Sequence, residues 1–280
     1  MLPSAVPTQE NSTNFSGKKI KHFQRKVLLF YQRNKRKLPW RKTTDPYKIL
    51  VSEFMLQQTQ VSRVLSYYEQ WIQKWPTIDS LAAASLPEVL QQWMGLGYNT
   101  RAVNLHRAAR IIVDKYDGDV LKAMQLYKQI PGIGRYTSQA VQIFSTNADL
   151  VTVDTNIRRI LLQEFSLPTK TSDKELWTLA KDCLPQGKSR IWHNALMDYG
   201  ALHLTVQKTG ITPKAHQSRF EGSDRQIRAR ILRYLLKEKL HIYKLETTLG
   251  IEKKRLKPIL TKMISEGIIS QRNNIYQINE

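Results

Sequence analysis

Ile130-Pro131-Gly132-Ile133-Gly134-Arg135-Tyr136-Thr137 is the stretch on which the fold of this chain turns. A Pro-Gly-Ile-Gly turn stands between two segments with apolar residues at helical spacing, Leu126 to Ile130 before it and Thr137 to Ile143 after it. Glycine reaches positive φ freely and lets the backbone approach another group closely. The turn runs straight into a helix, and the first N–H groups of a helix lack internal partners and can donate to phosphate oxygens. Taken alone, such a turn also fits a plain connection between two packed helices.

Two acids flank this hairpin in the sequence. Downstream, Val151-Thr152-Val153-Asp154-Thr155-Asn156-Ile157 sets Asp154 where a helix starts, which fits a helix cap as well as a catalytic carboxylate. Upstream, Val51-Ser52-Glu53-Phe54-Met55-Leu56-Gln57-Gln58-Thr59-Gln60-Val61 carries Glu53 on an otherwise apolar and amide-rich segment that reads as one helix. The plain reading of Gln58 is an exposed helix amide. Two separated carboxylates beside a phosphate-gripping hairpin point to cleavage of an N-glycosidic bond in DNA.

The global numbers fit a nucleic-acid partner. The 280 residues carry a net charge of +21 and a pI of about 10.0, which draws the chain to phosphates without regard to sequence. A hydrophobic content of 41% supports a buried core, which excludes a mere basic tail. No run of 18 apolar residues is present, so no membrane span is expected. The polar start, Met1 to Gly17, lacks a signal-peptide core, so the expected location is the cytoplasm or nucleoid. The single cysteine, Cys183, can form neither an internal disulfide nor a four-cysteine metal site, and reads as a buried small hydrophobe.

The organisation divides into three parts. Residues 1–17 are rich in Ser, Thr, Asn and Pro and read as disordered. Residues 18–223 read as a helical catalytic domain. It opens on a basic helix over Lys18 to Lys42, with eleven Lys or Arg and no acid, whose basic face serves either phosphate or solvent. Helix starts are marked at Thr77, at the Ser85/Glu88 capping box and at Thr171-Ser172-Asp173. Gly200 to Ser223 reads as irregular. Residues 224–280 read as three helices and a hairpin around Asn273-Asn274, an order that resembles a winged helix. From Arg219 to Glu280 there are 14 basic and 7 acidic residues, a net +7, and Lys253, Lys254 and Arg255 are candidate DNA contacts.

Further residues narrow the identification. Leu38-Pro39-Trp40-Arg41, Pro46-Tyr47-Lys48, the Glu53 segment, Gly95-Leu96-Gly97-Tyr98 with Arg101-Ala102, and Asn194 to Ala201 closely resemble the adenine DNA glycosylases of the helix-hairpin-helix DNA glycosylase superfamily. The resemblance spans roughly residues 20–230. It implies a mainly α fold of two helical subdomains, here followed by the winged-helix-like unit. It implies that Glu53 protonates adenine at N7, because adenine is a poor leaving group until protonated. Asp154 would stabilise the oxocarbenium-like sugar, and Asn156 would orient Asp154 or the attacking water.

Tyr136 stands where strand-cleaving relatives carry a lysine, and tyrosine cannot form a Schiff base. Gln57, Gln58 and Gln60 would meet the duplex beside the extruded base, with Tyr98 near its partner, while Gly132, Gly134 and Arg135 would hold the backbone. The family's four cluster cysteines align with Leu204, Ile211, Lys214 and Phe220, which implies no iron–sulfur cluster and no cofactor. Its usual C-terminal domain for inspecting 8-oxoguanine is not evident, and Asn99 stands where many relatives have a second Tyr. The expected protein is a monomeric, monofunctional glycosylase acting on mispaired adenine in double-stranded DNA, opposite 8-oxoguanine or guanine, with no membrane or metal partner. The alternatives are a thymine or uracil mismatch glycosylase and a non-catalytic DNA-binding protein. Glu53 with its Gln-rich run favours the first, and retention of both acids opposes the last.

Overall fold

In the computed structural model of the protein, which describes residues 15–212 and 219–280, the helix starts read from the sequence are used as such. Thr77, Ser85 and Ser172 each close a capping box with the residue three positions on. Each cap contributes about 1 kcal/mol to its helix. In chain order the helices are α1 (Gly17–Asn34), α2 (Pro46–Leu56), α3 (Val61–Lys74), α4 (Ile78–Ala82), α5 (Leu86–Trp93) and α6 (Thr100–Tyr116). There follow α7 (Val120–Gln125), α8 (Arg135–Thr146), α9 (Thr155–Glu164), α10 (Asp173–Asp182), α11 (Ser189–Leu202) and α12 (Val206–Thr209). The remainder is α13 (Asp224–Leu235), β1 (Leu240–His241), α14 (Ile242–Leu249), α15 (Lys253–Ser265), β2 (Ile269–Arg272) and β3 (Ile275–Ile278). The chain is therefore mainly α, and among the described residues no strand precedes Leu240.

Three expectations are corrected. The stretch read as disordered lies outside the described residues up to position 14, but the Phe15 ring lies tilted against Phe165 at 4.7 Å and Ser16 caps α1. The basic helix stops at Asn34, well short of Lys42. Asn34 turns its side chain back to the carbonyl of Phe30, and Pro39 opens a separate 3-10 turn, Pro39–Arg41. The stretch from Gly200 is not irregular throughout, since α11 runs to Leu202 and Thr205 caps α12.

The chain folds as two compact units. One takes the described residues of Met1–Arg36 and Asp149–Pro213. Here α1 lies on α11 and α11 on α9. Phe23 sits edge-on to Phe165 and to Trp192, at 5.3 and 5.5 Å between ring centres, and Phe30 edge-on to Tyr199 at 5.2 Å. The other unit takes Lys37–Ala148 and Lys214–Glu280. Its centre is α2, buried from Tyr47 to Met55 apart from Lys48 and packed on α3, α6 and α8. Trp71 meets Trp75 and Trp93 in edge-to-face pairs at 4.7 and 5.5 Å.

Residues 224–280 belong to this second unit. Their sheet is antiparallel with order β1-β3-β2. Asn273 and Asn274 have φ of 50° and 63°, the left-handed pair that a two-residue hairpin turn requires. The two-residue β1 escaped sequence reading because it is too short to show a period.

Candidate active site

Glu53 is the single acid of α2 and is 6% exposed, with Ser52, Phe54 and Met55 buried beside it. Asp45 starts this helix by accepting from the N–H groups of Tyr47 and Lys48, and Pro46 occupies its first turn. A carboxyl so deep in an apolar helix must be partnered or neutral.

The glutamines that follow are not helical. α2 ends at Leu56, and Gln57 to Gln60 form a turn in which Gln58 is left-handed, with φ 55°. The cause lies on α6. The buried Arg101 guanidinium donates to the carbonyls of Phe54, Met55 and Gln57 at 2.9, 2.9 and 2.6 Å, holding the orphan carbonyls of the helix end. Its second nitrogen donates to Thr59 Oγ1 and to the carbonyls of Leu96 and Gly97, at 3.1, 3.1 and 2.9 Å. One side chain thus joins the Gln58 turn to the Gly95–Tyr98 turn. Burial draws its pKa down to about 10, which leaves it charged at neutral pH. The motif containing Arg101 was visible in the sequence, but this role was not.

Gly132 shows why the hairpin needs glycine. Its φ is +76°, and a Cβ there would lie 2.7 Å from Asn104 Cβ and 3.1 Å from Phe54 Cε1. Gly134 instead faces open space and heads α8 with no side-chain cap, which leaves that helix start accessible to a ligand. Gly132→Ala is therefore expected to cost about 2 kcal/mol, from left-handed strain and crowding together. Gly134→Ala should leave the melting temperature nearly unchanged. Thermal melts of both variants check this, and equal losses would refute the packing argument. Arg135 and the half-buried Tyr136 open α8, which packs on α2.

Asp154 and Asn156 stand in the other unit. Asp154 caps α9, its Oδ1 accepting from Ile157 N at 2.7 Å and its Oδ2 from Asn156 Nδ2 at 3.1 Å. Asn156 in turn accepts from Arg159 at 2.7 Å, and Arg159 donates to the carbonyls of Gly200 and Leu204 at 3.1 and 2.7 Å. Gly200 permits this approach, since a Cβ there would lie 3.1 Å from Asn156 Cβ. Burial pushes the Asp154 carboxyl above its ordinary range, against the bonds from Ile157 and Asn156 and the charge of Arg159. On the approach to Asp154, Thr152 N donates to His193 Nε2 at 3.1 Å. Burial lowers His193 to about 4, so it stays neutral and accepts there while its Nδ1 donates to Ser189 O at 2.8 Å. Arg159 and His193 were both missed in the sequence. They carry no local signal, being recognised by what they touch across the fold.

The family model described as "HhH-GPD superfamily base excision DNA repair protein" matches residues 51–186. The adenine DNA glycosylase of Mycolicibacterium smegmatis is 37% identical over 227 residues, 74% of this chain and 78% of that protein. The chain belongs to the adenine DNA glycosylase family of this superfamily. The Homo sapiens member is 36% identical over 199 residues, 66% of this chain, which spans 36% of the human protein's length. A thermostable thymine-DNA glycosylase superposes with a TM-score of 0.61 at 29% identity, over 69% of this chain and 94% of that one. An endonuclease III trapped on DNA superposes at 0.62 over 72% and 92%, and at 20% identity attests the fold alone.

None of the four positions aligned with the family's cluster cysteines carries a thiol in this chain. Of the aligned positions, Leu204 and Ile211 pack on the apolar core around α9 and α11. Phe220 is 54% exposed, and Lys214 lies outside the described residues. Cys183, the lone thiol, is buried in that same core and pushed up to about 12 by burial, far from the thiolate a cluster needs. Among the described residues no three His, Cys, Asp or Glu converge on a metal site.

The basic cluster opening α15 is partly engaged within the chain. Lys253 lies over the Tyr243 ring at 5.0 Å, and Arg255 donates to Gly222 O at 2.6 Å and approaches Asp224 at 3.7 Å. Lys254 is exposed.

Proposed function

We propose that this chain is a monofunctional glycosylase of base excision repair that hydrolyses the N-glycosidic bond of adenine mispaired with 8-oxoguanine or guanine in double-stranded DNA. The observation that carries this reading is kinship with adenine DNA glycosylases over three-quarters of the chain, joined to a buried acid directly before the Gln58 turn. Glu53 delivers a proton to N7 and makes adenine a leaving group. The bond from the sugar to the base breaks, Asp154 offsets the positive charge left on the sugar, and water adds to that carbon, its proton passing to the carboxylate that Glu53 has become. Asn156 and, through it, Arg159 hold Asp154 in place. Tyr136 offers no amine, so the abasic product stays unbroken.

The open start of α8, with Gly132, Gly134 and Arg135, suits a phosphate. Gln57, Gln58, Gln60 and Tyr98 suit the gap left by an extruded base. Lys253, Lys254 and Arg255 add basic charge that suits the backbone beyond it. The enzyme works as a monomer, without a cofactor, in the compartment that holds the genome. Among the described residues no helix is long and apolar enough to cross a membrane.

A second reading, removal of mismatched thymine, is favoured by the likeness to the thymine-DNA glycosylase. Single-turnover assays on duplexes holding A:8-oxoG, A:G, T:G and U:G decide between them. Excision is expected from the two adenine duplexes, with strand breaks appearing after alkali and no adduct trapped by borohydride. Faster release from T:G or U:G would replace the adenine reading, and a trapped adduct would reveal an amine nucleophile.

A further inference from the structure

The Gly95–Tyr98 turn is held from two sides. On one side Arg101 binds its carbonyls and joins it to the Gln58 turn. Gln58 and Tyr98 are both non-glycine residues in the left-handed region, with φ of 55° and 48°. Such conformations persist only where the surroundings enforce them, and they gather at active sites and ligand clamps. Gln58 is exposed and Tyr98 half-buried.

On the other side the turn meets residues 219–280. Arg225 donates to the Tyr98 hydroxyl at 2.9 Å, and its guanidinium lies 5.2 Å from the Tyr98 ring centre and 6.0 Å from that of Phe220. Two residues on, Thr100 donates to Glu266 at 2.6 Å, and Glu266 is also paired with Arg228. The C-terminal stretch therefore grips the entry to α6 through Tyr98 and Thr100, one on each side of its cap residue Asn99. Lys254 and its neighbours contribute charge, but these contacts contribute shape at a particular turn.

We propose that residues 219–280 position the Tyr98 turn, with Arg225 as the positioning residue, and so set how sharply the enzyme distinguishes the base paired with its target adenine. The inference rests on the adenine glycosylase reading above. An enzyme that extrudes a base must fill the gap and meet the base left behind. A tyrosine clamped by its hydroxyl and its face cannot rotate to suit every partner. A released one can, and tolerance of the wrong partner follows.

The test compares the full-length protein with Arg225→Ala, Tyr98→Phe and the double variant. Single-turnover rates are measured on A:8-oxoG and A:G duplexes, and binding is measured at two salt concentrations. Arg225→Ala is expected to shrink the ratio of the two rates at least about fivefold, well beyond assay scatter. Tyr98→Phe, which keeps the ring and loses the acceptor, should shift the ratio the same way. The double variant should go little further than Arg225→Ala, because both changes break one contact. The salt dependence of binding should stay as in the wild type. A salt slope lower by about one, with the ratio unchanged, would make Arg225 a phosphate contact and overturn the proposal. Additive effects, or an unchanged ratio in Arg225→Ala, would overturn it too. If Arg225→Ala melts early, the well-packed Tyr98→Phe alone decides, and an unchanged ratio there refutes the clamp. Wild-type protein that leaves adenine in both duplexes sinks the functional reading and this inference with it, an outcome distinct from the others.

Discussion

Glu53→Gln is expected to reduce adenine excision at least about 10³-fold while duplex binding stays near the wild-type level. Glutamine keeps the size and shape of the side chain but has no proton to give to N7. Because Glu53 is 6% exposed in the middle of a packed helix, an isosteric amide disturbs the fold far less than alanine would. The two measurements belong together. Lost excision with retained binding assigns the proton transfer to Glu53. Single-turnover activity within about tenfold of wild type, a barrier change of roughly 1.4 kcal/mol, would remove it from that role. A collapse in binding would instead mean that Glu53 supports the Gln58 turn.

Asp154→Asn is expected to lose about three orders of magnitude in rate, since the amide cannot offset the positive charge of the sugar. Its effect on stability should run the other way. Burial holds the Asp154 carboxyl above its ordinary range, so the ionised form weighs against the folded state. Asparagine has no charge to desolvate and its oxygen keeps the cap to Ile157 N, though its amide nitrogen gives up the bond from Asn156, a loss of about 1 kcal/mol that the relieved desolvation must exceed. At pH 7 the variant should therefore melt at least as high as wild type. The gap should close as the pH falls to about 4 and below, where the carboxyl is neutral in the folded and unfolded chains alike. Thermal melts at pH 7 and pH 4 check the sign. A variant that melts lower at pH 7 and keeps its activity would reduce Asp154 to the cap it visibly forms.

The two acids were legible in the sequence for different reasons. Asp154 announces itself locally, because an acid three residues before an apolar helical run is a cap whatever else it does. Glu53 stood out by contrast with the apolar residues around it. What the sequence hid is the shape of the segment after Glu53. Glutamine is a good helix former, so nothing in Gln57-Gln58-Thr59-Gln60 stops a helix. The stop is supplied by Arg101, 44 positions away from Gln57. The same holds for Arg159, which collects carbonyls 41 and 45 positions away. The order of elements in 224–280 was readable from turn chemistry and apolar spacing. Its attachment to Tyr98 and Thr100 was not, since neither Arg225 nor Glu266 differs from any exposed charge when viewed along the chain.

Helix α1 is completed by partners that come much later in the chain, because α11 and Phe165 supply the apolar surface that covers Phe23. During synthesis the ribosome must deliver everything from Lys37 through Tyr199 before this surface exists. Nascent α1 therefore waits with Phe23, Val27, Phe30 and Tyr31 uncovered, in the state where chains cohere wrongly. The six Lys and Arg of α1, with the five that follow it up to Lys42, then matter before any DNA is met. A dense positive charge with no acid among it keeps one waiting helix away from the next by simple repulsion. In the folded chain part of this charge is answered by acids delivered later, since Lys26 of α1 pairs with Glu164, and Arg36, just beyond it, with Asp198.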